Sequence, residues 1–245
     1  AGRDRGTACP APRARVVTEE RALGALVGRI VSIQVGMPRE MVTATGRVWK
    51  SAIEKAALEG PVALGAENLA GDYQANRKYH GGPDKALCTY ASEHYPDWRE
   101  RLGLDMPFGA FGENLTLEGL TEDRVCVGDV FAIGDGGVRV QVSQPRQPCA
   151  NLSKRWNRPR LPRWMEENGH TGFYLRALRT GDLAAGDAVT LVERPHPGWN
   201  LLRANELVYA AAPDREELAA LRGLAALSAE WKRILGRKLT RSAAG

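Results

Sequence analysis

The spacing of apolar and polar residues changes character along the chain, and each change predicts an element. Val31, Ile33 and Val35 alternate with Ser32 and Gln34, the period of a strand. Ala86 to Tyr90 is a short apolar run, also strand-like, and Ser92 followed by Glu93, Trp98 and Leu102 predicts a capped helix after it. The clearest β signal is central. Val125 to Ile133, the turn Gly134-Asp135-Gly136-Gly137 and Val138 to Val142 predict a hairpin. In its second arm Val138, Val140 and Val142 face one side, Arg139 and Gln141 the other. Val127-Gly128-Asp129-Val130 is echoed by Ala185-Gly186-Asp187-Ala188, two Gly-Asp turns that each launch a strand. Several short strands separated by turns predict a barrel or sandwich.

After Pro195-His196-Pro197-Gly198 the alternation stops, and residues 201–240 are rich in Ala, Leu, Glu and Arg. Arg203 to Ala211 reads as a first helix. Asp214 and Glu217 form a capping box before Leu218 and Leu221. Ser228 caps a third helix carrying Trp231, Ile234 and Leu235, with Gly236 as its expected stop. Residues 1–27, dense in Arg with Pro10 and Pro12, read as a flexible tail. The predicted organisation is a tail over 1–27, a mainly β domain over 28–197 and a small helical domain with a short tail over 198–245. A helical unit of that size is marginal alone, so it is expected to pack on the β domain.

Composition narrows the classes. With 245 residues, 43% apolar and 26% charged, the chain is ordinary globular sequence. It has no apolar run long enough to span a membrane and no secretory h-region near its start. Cys9, Cys88, Cys126 and Cys149 lack CxxC spacing and are too few to staple a chain of this length, which suits a reducing cytoplasm. The net charge of +5 is unevenly spread. Between Asp135 and Glu166 no acidic residue occurs, yet Arg139, Arg146, Lys154, Arg155, Arg158, Arg160 and Arg163 do. Such an excess suits an anionic ligand or a solvated loop.

Three stretches carry candidate chemistry. Cys149 ends Gln144-Pro145-Arg146-Gln147-Pro148-Cys149, a stiff turn whose basic neighbours favour a thiolate nucleophile or metal ligand; an inert cysteine is the plain alternative. Cys88 and Cys126 sit in apolar strand patterns and read as core. Lys78-Tyr79-His80-Gly81-Gly82-Pro83-Asp84-Lys85 offers glycine backbone and positive charge to an anion, without Walker spacing, or is a turn between strands. Phe108-Gly109-Ala110-Phe111-Gly112-Glu113-Asn114 presents a carboxylate and an amide, or is a surface turn. The histidines lack metal-ligand spacing, and neither a nucleophile elbow nor a dinucleotide fingerprint occurs.

In their order and spacing these stretches resemble MOSC-domain proteins, in particular the YiiM-like branch with its C-terminal three-helix domain. The resemblance covers about residues 28–240. It implies a mixed, mainly β fold: a MOSC-type β-barrel with peripheral helices plus three C-terminal helices. It implies the molybdenum cofactor (molybdopterin) as ligand, with Cys149 as the protein thiolate on the metal. Lys78, His80, Gly81, Asp84, Gly112 and Arg146 would hold the pterin. Asn151 stands where relatives carry Lys, so the phosphate contact there passes to Lys154 or Arg155. The implied activity is reduction of small N-hydroxylated compounds such as 6-hydroxylaminopurine, a detoxification, with Cys149, Glu113 and Asn114 as catalytic residues and Glu113 as proton donor. Electrons would come from a separate flavin or iron–sulfur reductase. A membrane partner and specific nucleic acid are not expected, no nucleic-acid-binding motif being present; a homodimer is left open. The competing reading is a molybdenum-cofactor or sulfur carrier in which Cys149 bears a persulfide.

Overall fold

The computed structural model describes residues 26–241, so most of the expected tail and Cys9 lie outside the described residues. The strands are β1 (Val27–Val35), β2 (Arg39–Val42), β3 (Val48–Ser51), β4 (Ala56–Ala57), β5 (Val62–Leu64), β6 (Leu87–Ala91), β7 (Leu115–Glu118), β8 (Val130–Ile133), β9 (Val138–Pro145), β10 (Phe173–Arg179), β11 (Gly181–Leu183) and β12 (Ala188–Glu193). The helices are α1 (Arg77–His80), α2 (Tyr95–Leu102), α3 (Ala150–Trp156), α4 (Leu161–Asn168), α5 (Leu201–Tyr209), α6 (Arg215–Gly223) and α7 (Ala229–Arg241).

Seven strands close a barrel in the order β12-β8-β9-β10-β6-β7-β1, with β1 returning to β12. Only the β6–β7 pair is parallel within it. The expected central hairpin is β8–β9, although its first arm begins at Val130. The two Gly-Asp turns behave alike. Asp129 accepts the Cys126 amide and Asp187 the Ala184 amide, both at 2.8 Å, and the strands they launch, β8 and β12, pair with each other.

The register of β1 differs from the plain alternation. A shift between Ile30 and Ser32 puts Ile30 and Ile33 inside and leaves Val31 and Val35 partly covered. A bulge turns the side-chain period over at that point. The helix after β6 starts at Tyr95, behind a 3₁₀ turn over Ser92–His94, and Ser92 makes no capping bond. The acid-free stretch after Cys149 forms α3 and α4 where a loop was expected.

The C-terminal segment is three helices. Asn200 caps α5 by accepting the Arg203 amide at 2.8 Å, and Asp214 caps α6 by accepting the Glu217 amide at 2.9 Å. Ser228 Oγ accepts the Trp231 amide at 3.1 Å at the head of α7. Gly236 does not end that helix. The Arg222 guanidinium lies 3.4 Å from where its Cβ would be, so this glycine admits a close approach of α6. One apolar cluster fills the barrel with Ile30, Leu117, Val140 and Val142 and continues into Leu201, Leu218, Trp231 and Leu235. A second, around Tyr90, Trp98, Phe111, Leu161 and Met165, seats α2 to α4 on the barrel wall. No described helix is long and apolar enough to cross a membrane.

Candidate functional site

β9 ends at Pro145, and the chain then runs through Arg146 and Cys149 into α3. This turn forms one wall of a cleft. Residues 50–53 at the end of the β2–β3 hairpin, Lys55, residues 72–76, and His80, Lys85 and Cys88 form the others, with Gly112, Asn114, Asn151 and Tyr174 completing the lining.

Arg146 is the best-defined group in it. Its side chain is 5% exposed, and its amide donates to Gly172 O at 2.9 Å. Nη2 donates to Phe111 O at 2.6 Å, while the buried Nη1 has no partner. A buried guanidinium nitrogen without an acceptor is costly and marks a place for an anion. Further positive charge lines the same cleft. Lys55 is ion-paired with Asp72, and Lys85 with Glu230 of α7, while Lys50 stands exposed at the edge. The His80 imidazole is pushed down to about 4 by burial first, then by Arg146 and Lys85, so it is neutral near pH 7.

Two free cysteines line the cleft. Cys149 is half-buried and Cys88 buried. Burial is the main cause that pushes the Cys88 thiol up, keeping it protonated. Cys149 is therefore the sulfur that a ligand can reach. Asn114 also lines the cleft, but both ends of its amide are spent: Oδ1 accepts the Cys88 amide at 3.1 Å and Nδ2 donates to Gln34 O at 3.2 Å. Gly112 has φ +78°, and a Cβ there would lie 2.8 Å from Ile53 Cγ1.

The expected site residues thus divide. Cys149, His80, Gly112, Asn114 and Arg146 come together on the cleft; the others are elsewhere. Glu113 is fully buried behind the wall. Its carboxylate accepts Gly109 N at 2.8 Å, Phe111 N at 3.1 Å, Thr116 Oγ1 at 3.0 Å and the Tyr95 hydroxyl, which makes it a brace for the 109–113 turn. Arg155 donates to Ile53 O at 2.9 Å, Gly109 O at 2.7 Å and Ala110 O at 2.9 Å, leaving its charge on backbone carbonyls. Lys154 lies over the Trp49 ring and Lys78 is exposed beside Tyr79, neither on the lining. Gly81 donates to Arg77 O in its own turn, and Asp84 pairs with Arg176 at 2.9 Å. What the sequence reading missed is Lys50, Lys55, Asp72 and the segments that carry them. Their one signal is the Lys50–Lys55 spacing, which has no motif around it. Among the described residues no group of three or more His, Cys, Asp or Glu forms a metal cage.

A reachable soft sulfur, a buried cationic nitrogen lacking an acceptor and surrounding lysines fit a phosphate-bearing group with a thiolate-ligated metal. The cavity volume is about 90 Å³. That is small beside the ~300–1,000 Å³ of typical ligand pockets, so a pterin-sized molecule would extend into the open mouth.

The chain is similar to known proteins along most of its length. The family model described as MOSC domain matches residues 76–190, and that described as YiiM-like, 3-alpha helix domain matches residues 199–241. The uncharacterized protein YflK of Bacillus subtilis (strain 168) is 39% identical over 212 residues, which covers 86% of this chain and 95% of that protein. A protein named reductase from Gibberella moniliformis is 37% identical over 183 residues, covering 74% of this chain; the match spans only 32% of that longer protein. The crystal structure of YiiM from Geobacillus stearothermophilus superposes with a TM-score of 0.73 at 38% identity, covering 86% of this chain and 99% of that one.

Proposed function

The chain belongs to the MOSC-domain family, in its YiiM-like branch with a C-terminal three-helix domain, and from that premise we propose that it is a molybdenum-cofactor-dependent reductase of N-hydroxylated compounds. The observation that carries the reading is the pairing, on one cleft, of the half-buried Cys149 thiol with the unpartnered buried Nη1 of Arg146. When bound, the cofactor supplies two-electron removal of oxygen from an N–OH group, leaving the amine.

The protein's own residues have four tasks. Cys149, as thiolate, holds the metal. Arg146, with Lys85 and Lys55 on the same cleft, would receive the pterin phosphate. Gly112 and Asn114 form wall: the glycine admits Ile53 at close range and the amide locks β6 to β1. His80, neutral near pH 7, would serve the ligand as a hydrogen-bond partner and not as an acid, so the proton for the departing oxygen would come from solvent. Glu113 holds the wall behind the cleft that His80 lines. The electrons come from a separate flavin or iron–sulfur protein, and a relative whose reductase name covers a far longer chain is in keeping with such a partner.

The test is elemental analysis and turnover of protein from a host that makes the cofactor. Molybdenum near one per chain, with reduction of benzamidoxime or 6-hydroxylaminopurine, is expected. Cys149→Ser should lower bound molybdenum and abolish turnover while the circular dichroism spectrum stays unchanged, because a hydroxyl is a harder and far less acidic ligand. Molybdenum-free protein carrying a cyanide-labile sulfur on Cys149 would replace this reading with sulfur or cofactor carriage.

A further inference from the structure

The head of α7 is stitched to the cleft's own backbone. Ser228 donates its amide to Ser143 O at 2.9 Å and its hydroxyl to Gln144 Oε1 at 2.6 Å, on the strand that leads directly to Arg146. The Ala229 amide reaches Asp84 Oδ2 at 3.4 Å, and Arg176 ties Asp84 to Ala226 O. Two residues beyond Ser228, Glu230 closes an ion pair with Lys85, whose ammonium also donates to Tyr79 O at 2.5 Å. Lys85 is 7% exposed and lines the cleft beside His80 and Arg146. The other nearby carboxylates are engaged: Asp84 by Arg176, Asp72 by Lys55, Glu113 by the 109–113 turn. Glu230 is the carboxylate left to balance Lys85.

We propose that Glu230 is a positioning residue supplied by the three-helix domain, an internal counter-ion that holds Lys85 when the cleft is empty and restrains the cleft's affinity for anions. The inference rests on the reading of the cleft as the seat of a phosphate-bearing ligand. Its physical basis is that a buried ammonium without its carboxylate is strongly destabilising unless another anion takes that place. The partner's charge is therefore shared between Glu230 and the ligand. Removing Glu230 should leave the empty protein less stable and make the anion bind more tightly, two effects tied by linkage.

The experiment uses full-length, cofactor-free protein with inorganic pyrophosphate as probe, followed by calorimetry and by thermal unfolding. Glu230→Gln should bind pyrophosphate about tenfold more tightly than the native chain, the scale of one added charge near a partly buried site. Its unfolding midpoint should also rise more on adding the probe. Equal affinity, or a loss of stability that pyrophosphate does not reverse, overturns the proposal. Should Glu230→Gln fail to fold, the test passes to Lys85→Met and to Lys85→Met with Glu230→Gln, which removes the buried pair whole. The single variant should bind about tenfold more weakly and the double should return toward native affinity; no recovery overturns the proposal. Arg146→Met separates the two levels of the argument. If it leaves pyrophosphate binding intact, the cleft reading itself fails; if it weakens binding while Glu230 has no effect, only the counter-ion assignment fails.

Discussion

Arg146 and Cys149 were legible in the sequence because a rigid turn carries both, and a stiff backbone fixes where side chains point. Lys154 and Arg155 were not, because an excess of basic residues does not reveal their acceptors: Arg155 spends its guanidinium on three carbonyls and Lys154 rests on an indole. Lys55 escaped notice for the reverse reason, since its partner Asp72 is distant in sequence and only the fold joins them. His80 gives a residue-scale prediction. Its folded value of about 4 lies below the ordinary 6.5, so between those values the unfolded chain takes up a proton that the folded protein refuses. Its contribution to stability is complete above pH 6.5 and lost as pH falls toward 4. In cofactor-free protein, His80→Gln should shrink the difference in urea-unfolding free energy between pH 7 and pH 5 by about 2 kcal/mol. An unchanged pH dependence would mean that the ring is not held neutral by the cleft.

At the scale of elements, the β8–β9 hairpin, the two Gly-Asp turns and the capped C-terminal helices followed from local patterns, because each is stabilised by its own neighbours. The bulge in β1 and the passage of α7 through Gly236 did not, since both depend on what packs across from them. α3 and α4 were hidden by Arg and Pro, although Leu152 with Trp156 and Leu161 with Met165 keep the four-residue spacing of a buried helical stripe. Gly172 shows how one residue positions elements around the cleft. Its carbonyl accepts the Arg146 amide, its amide donates to Glu122 Oε1 at 2.7 Å, and a Cβ at its φ of +75° would stand 2.3 Å from Thr89 O. Neither the backbone angle nor the strand behind it can give way cheaply. Gly172→Ala should therefore cost about 2–4 kcal/mol in urea unfolding, by strain and clash together. Gly186→Ala, at φ +97° with open space around it, should cost only about 1 kcal/mol. Equal losses would show that backbone angle alone governs both sites.

On the scale of the whole molecule, the helical segment and the barrel share a core. Leu201, Leu218, Trp231 and Leu235 belong to the same buried cluster as Val140 and Val142, and the backbone also joins them, with Leu201 N on Val125 O and Val127 N on Trp199 O, both at 2.9 Å. The sequence suggested a helical unit too small to stand alone but not how much the barrel leans on it. Fully burying one such side chain stabilises the fold by about 1.5–3 kcal/mol, and domains as a whole are held by only about 5–15 kcal/mol. A chain cut after Gly198 would expose Val125, Val127 and Val142 to water along with the end of β9 that leads to Arg146. That truncation should accumulate as insoluble protein, and the full chain should unfold in one calorimetric transition, with heat and van't Hoff enthalpies agreeing. Two resolved transitions, or a soluble barrel that still binds pyrophosphate with native affinity, would show that the helices are an accessory. A single transition would also explain why α7 can serve the cleft: a counter-ion such as Glu230 holds its place only if the element bearing it does not open independently of the wall it touches.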